Sequence, residues 1–93
     1  MPIPELISSD HIRRAAARIR ISGVPNSRRS TLYDAVVDGD RLPPKYLLSV
    51  ACEIATGQPL RAGDFSGGAE THTFLRQRDI PIIDKEGRPV TAP

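Results

Sequence analysis

The stretch DGDRLPPKYLLSVA, Asp38 to Ala51, decides how the chain folds. Asp-Gly is a strong hairpin signal, because a tight primed turn needs positive φ at its central residues. Two prolines follow soon after. A proline in the first helical turn costs nothing, since that N–H has no partner within the helix. Leu47, Val50, Ala51 and Ile54 then recur at i, i+3, i+4 and i+7, one face of a helix, and Leu48 and Cys52 widen the stripe. A hairpin therefore feeds directly into what should be the most buried helix, predicted to reach about Thr56 with Gly57 closing it.

Working outward, TLYDAVV (Thr31 to Val37) reads as the first hairpin strand and RLP as its short return. Upstream, Ser8 or Ser9 can cap a helix with Asp10 in its first turn. Ile12, Ala15, Ala16 and Ile19 form its apolar face, Arg14 and Arg18 lie opposite, Arg13 and Arg20 lie on the flank, and Gly23 and Pro25 stop it. PIPELI is an extended lead-in. Downstream come a loop from Gln58 to Gly68 and a third short helix, AETHTFLRQRD, with Phe74 and Leu75 facing the core. Glu70 near its start and Arg76 and Arg78 near its end suit the helix dipole. IPIID is a strand, KEG a turn, and RPVTAP an edge strand or tail. The expected architecture is a small single α+β domain, three helices packed on a short antiparallel sheet. Its core should span about residues 8–84, with 1–7 and 85–93 as tails or edge strands.

Ninety-three residues form one domain. Folding buries roughly 60–70% of the unfolded surface of such a chain, enough for one core. The aromatics are Tyr33, Tyr46, Phe65 and Phe74, so the core must rest on aliphatic side chains. The formal charge is only +2, but residues 1–30 carry +4 (six arginines against two acids) and residues 31–93 carry −2 (seven cations against nine acids). Eleven of the thirteen cations are arginine, whose planar fork suits phosphate, although a GC-rich genome produces the same bias. Cys52 is the single cysteine, so no intramolecular disulfide or Cys-based zinc cluster can form. No apolar run is long enough for a membrane span, and the N-terminus lacks a signal-peptide pattern, so a reducing cytoplasm is the expected location.

Catalysis finds little support. His11 and His72 lack the spaced partners of a zinc site, so neither metal nor cofactor is expected. Asp34, Asp38 and Asp40 read as turn chemistry, and with Lys45 nearby they leave a small metal-dependent nuclease as one alternative. Ser66 has no nucleophile-elbow frame. The expectation is a non-enzyme. PNSRRS offers Asn26, Ser27, Arg28, Arg29 and Ser30 for backbone phosphates, the alternative being a solvated loop. FSGGAET offers Ser66, Gly67 and Gly68 as an anion nest at a helix start. A tight turn with Phe65 in the core is the preferred reading there, because Asp64 and Glu70 repel anions. In RLPPKY, Arg41 and Lys45 flank an apolar corner of Pro43 and Pro44, with Tyr46 beside it.

The order of these motifs, from RRSTLYDAVVDGDRLPPKYLLS to FSGGAETHTFL, resembles small DNA-reading domains of McrA-type modification-dependent HNH restriction endonucleases, over about residues 10–83. Those proteins carry an N-terminal head domain and a sulfur-binding domain that recognises phosphorothioate DNA. The resemblance implies that Leu42, Pro43 and Pro44, followed by Lys45 and Tyr46, form the corner that lines the sulfur pocket. Leu42 stands where the relatives have tyrosine, and Tyr46 where they have a small residue. The implied ligand is therefore phosphorothioate DNA, DNA with another modification, or ordinary duplex. The HNH nuclease itself would be a partner or a fused domain.

The expected function is a DNA-binding module of a restriction or phage-defence system. Arg28, Arg29, Arg41 and Lys45 would contact phosphates, Asn26 and Ser27 would add hydrogen bonds, and Pro43, Pro44 and Tyr46 would form an apolar platform. The alternative is a protein-interaction adaptor using Leu42, Tyr46 and the exposed part of the second helix as its patch.

Overall fold

The computed structural model describes residues 3–26, 32–60 and 69–90. Among them the chain forms helix α1 (Ser9–Ser22), strands β1 (Tyr33–Val37) and β2 (Asp40–Leu42), helix α2 (Pro44–Thr56), helix α3 (Ala69–Arg76) and strand β3 (Ile82–Asp84). This is the α+β class that the sequence predicts.

Ser8 caps α1 reciprocally: its hydroxyl accepts from the His11 N–H at 3.3 Å, and His11 Nδ1 accepts from the Ser8 N–H at 3.0 Å. Histidine takes the place usually held by Glu or Gln in such a box. Ile12, Ala15, Ala16 and Ile19 are buried, and this face packs along α2. The hairpin turn holds Asp38 at φ 51° and Gly39 at φ 86°, the left-handed pair that a type I′ connection requires. Pro43 sits at the N-cap of α2 and Pro44 in its first turn, and Gly57 closes it at φ 85°.

The sheet is antiparallel in the order β2-β1-β3. Ala35 lies between Leu42 and Ile82, and all three are buried on the face that the helices cover. Fully burying a leucine or isoleucine contributes about 1.5–3 kcal/mol. Leu47, Leu48, Leu75, Ile7, Ile12 and Ile82 are all in that condition. Within α2, Leu47 to Cys52 are buried without a break, so the helix is enclosed rather than merely striped. Ser49 is reconciled with this enclosure by donating to the Leu60 carbonyl at 2.5 Å.

Several boundaries differ from expectation. The first strand begins at Tyr33, after an exposed Leu32 that is bent rather than extended, and Thr31 lies outside the described residues. The core exceeds residues 8–84: Ile3 and Ile7 of the lead-in are buried, and Val90 packs against the core. Residues 88–90 run beside β3, with Asp84 N–H donating to the Arg88 carbonyl and Val90 N–H to the Ile82 carbonyl at 2.9 and 2.8 Å. Arg78 lies beyond α3, where its task is to hold the lead-in. Its guanidinium donates to the carbonyls of Ile7 (2.5 Å), Glu5 (3.0 Å) and Phe74 (3.2 Å), and it lies 3.4 Å over the Phe74 ring.

His72 of α3 is only 3% exposed. Its ring meets Tyr33 edge-on at 4.9 Å, and its Nε2 has no hydrogen-bond partner among the described residues. Burial, then the charge of Arg76, pushes its pKa below the ordinary 6.5.

Two predictions follow from this packing. Arg78→Ala should cost about 2–3 kcal/mol, read as a fall of roughly 10–20 °C in the thermal midpoint; an unchanged melt would contradict the staple. Because the unfolded chain binds a proton at His72 more readily than the folded one, stability should fall as pH drops from about 6.5. Denaturant midpoints across that range should lose their slope in His72→Phe. Asp84 contributes a separate loss at lower pH, since its carboxyl is held below the usual range chiefly by the Arg88 backbone N–H, joined by that of Glu86.

Candidate nucleic-acid interface

Strand alternation decides which hairpin side chains meet solvent. Ala35, Val37, Leu42 and Ile82 turn to the helices, so Asp34, Val36, Arg41 and Ile83 lie on the outer face of the sheet. Arg41 is exposed there. It extends across the sheet until its Nη2 is so near Gly87 that a β-carbon on that glycine would lie 3.2 Å away. Asp34, on the same face, is only 7% exposed, and Lys85 Nζ lies 3.1 and 3.3 Å from its carboxylate oxygens. Asp40 faces the other way and accepts from Arg20 Nε at 2.7 Å. Asp34 and Asp40 thus occupy opposite faces of the sheet. Among the described residues no group of three His, Cys, Asp or Glu side chains could hold a metal.

The diproline corner is not the surface that the sequence predicts. Leu42, Pro43 and Pro44 are all buried, because the end of β2 and the first residues of α2 turn inward against the core. Proline rings are apolar, and here they serve the core. The same burial removes Leu42 from the patch that an adaptor reading assigns to it. Lys45 and Tyr46 follow, half-buried, with Tyr46 packed against the core, and neither residue is without an interaction partner. Of Arg41, Lys45 and Tyr46, Arg41 is the most accessible, and its guanidinium lies across the sheet beside Gly87. Asn26 is exposed beyond the end of α1. Ser27, Arg28, Arg29 and Ser30, and the nest residues Ser66, Gly67 and Gly68, lie outside the described residues.

Most of the described arginines are engaged. Arg14 pairs with Asp10 at 3.0 Å, Arg18 with Glu53 of α2, Arg20 with Asp40 of β2, and Arg88 with Glu86 at 3.2 Å. Arg76 donates to the Val90 carbonyl at 2.9 Å. Arg13 and Arg41 are exposed with no ion-pair or hydrogen-bond partner among the described residues. Sequence counting registers all of these as equal positive charge. Only the i,i+4 spacing of Asp10 and Arg14 signals a pairing in advance.

These features define a class: a small α+β module with an arginine-rich exterior. The sequence matches the ScoMcrA-like N-terminal head domain over residues 7–79, and the chain belongs to that family. It is accordingly a module of a DNA-related restriction system, with interaction with DNA in general its role. The matched span contains all three helices and the hairpin and leaves β3 outside. Neither the curated proteins nor the solved structures give a match. No described helix is long and apolar enough to cross a membrane.

The division between packed and accessible residues is open to direct test. Arg41→Ala should leave stability within about 0.5 kcal/mol of wild type. Pro44→Ala and Tyr46→Ala should each lower it by about 1–2 kcal/mol, since each removes packed apolar surface. Urea titrations of the three variants provide the comparison.

Proposed function

We propose that the domain is a non-catalytic reader that grips the backbone of duplex DNA for a restriction or phage-defence system. The observation that carries this reading is membership of the head-domain family over residues 7–79. The concentration of arginine in the first thirty residues and the open position of Arg41 support it. Arg28, Arg29, Arg41 and Lys45 contact phosphates, with Asn26 and Ser27 adding hydrogen bonds. Cleavage belongs to a fused or separate HNH nuclease.

Burial of Leu42, Pro43 and Pro44 closes the apolar corner that the resemblance assigns to a backbone sulfur. The proposed ligand is therefore duplex DNA without a requirement for phosphorothioate.

With four to six phosphates neutralised, the logarithm of affinity should fall with the logarithm of salt with a slope of about −4 to −5. Fluorescence anisotropy with plain, methylated and phosphorothioate duplexes measures this. Comparable affinities, and a shallower slope in the Arg28→Ala/Arg29→Ala double variant, are expected. Affinity indifferent to salt would overturn the reading, and a strong preference for phosphorothioate would overturn its second part. Plasmid incubated with magnesium or manganese should remain intact; cutting would make the domain a nuclease.

A further inference from the structure

The exposed side of α1 has a shape that its charge alone does not explain. Opposite the buried residues Ile12, Ala15, Ala16 and Ile19 runs a midline of Asp10, Ala17 and Ile21, all exposed. Successive residues turn by about 100° around a helix. Arg13 and Arg20 therefore fall on one side of this midline, and Arg14 and Arg18 on the other. The ion pairs confirm the two sides independently. Arg20 reaches Asp40 of the hairpin, and Arg18 reaches Glu53 of α2, so the arginines lean outward over both neighbours. Between them the midline is low: a methyl group at Ala17, then an isoleucine at position 21 that is 89% exposed. An isoleucine so open contributes nothing to the packing of the domain.

A midline that is low and apolar from Ala17 to Ile21, between two cationic rails, matches one ligand in particular. The major groove of duplex DNA is about 12 Å wide, close to the diameter of a helix with its side chains, and has a phosphate backbone on each rim. Methyl groups of thymine lie on its floor and accept apolar contacts. Exposed ion pairs such as those of Arg14, Arg18 and Arg20 contribute only about 0–1 kcal/mol each, so exchanging a carboxylate for a phosphate costs little.

We propose that α1 enters the major groove, with Ala17 and Ile21 toward the base edges and Arg13, Arg14, Arg18 and Arg20 against the phosphates of the two strands. This rests on the DNA-binding reading above and gives it a groove and a face.

The test uses Ala17→Leu, Ala17→Glu and the Arg13→Gln/Arg14→Gln pair, all at exposed positions where melts should stay close to that of the wild type. Ala17→Leu, which adds bulk without charge, should weaken duplex binding about tenfold or more while leaving heparin binding unchanged, because heparin has no groove to fill. Ala17→Glu should weaken both, and the arginine pair should reduce the salt slope by about two. On the wild-type protein, the major-groove ligand methyl green should displace the domain and the minor-groove ligand netropsin should not. Wild-type duplex binding with unaltered affinity in all the variants, or displacement by netropsin alone, would overturn the α1 assignment and leave the DNA-binding reading standing. Absence of any wild-type DNA binding would overturn both. Equal losses on heparin and duplex for Ala17→Leu would point to a partner that is merely anionic and would also overturn the proposal.

Discussion

Six consecutive residues of α2, Leu47 to Cys52, are shut away from water, and the rest of the molecule is arranged to make that possible. A helix standing alone can bury one stripe; burying every side needs neighbours all round. Helix α1 covers one flank, α3 another, and the sheet contributes Ala35, Val37 and Leu42. The single polar side chain in the enclosed run, Ser49, finds the Leu60 carbonyl. Pro43 and Pro44 are drawn into the same enclosure while Lys45 and Tyr46 stay half-buried, so the most accessible cations are Arg41 and those on the far side of α1.

The arginines divide into two populations by what they touch. Arg76 and Arg78 donate to backbone carbonyls and bind the two ends of the described chain to α3, a use that depends on the several donors of a guanidinium. Lysine offers no such planar fork. Arg13, Arg14, Arg18, Arg20 and Arg41 stand outside, paired with surface carboxylates or, for Arg13 and Arg41, without an ion-pair partner among the described residues. A bias that composition alone could ascribe to the genome therefore has a physical division of labour in the fold.

The elements that follow local rules were legible in the sequence. The apolar face of α1, the Asp-Gly turn, Pro44 in a first turn and Gly57 at a helix end each depend on residues within a few positions of one another. What escaped reading depends on distant residues. Ile3 and Ile7 sit in a proline-broken segment without periodicity, and their burial depends on Arg78, more than seventy positions away. Asp34 reads locally as turn chemistry, yet it faces Lys85 across the sheet. His72 carries no local signal of burial other than its neighbours Thr71, Phe74 and Leu75, which outline the buried side of α3. For the candidate site, the sequence located the cations but not their partners. It also mistook a buried proline pair for an outer surface, because apolar rigidity serves either purpose.

The margins of the sheet carry one more consequence. Beyond β3 the line of open backbone groups is already taken up by residues 88–90, through Val90 and Arg88. Beyond β2 the line is three residues long and runs into Pro43, which has no N–H to offer. Among the described residues neither margin presents a template on which another chain could lay a long strand. Copies of the domain crowded along a polymer could therefore lie shoulder to shoulder without knitting into fibrils, and an extended peptide would find little purchase on either side.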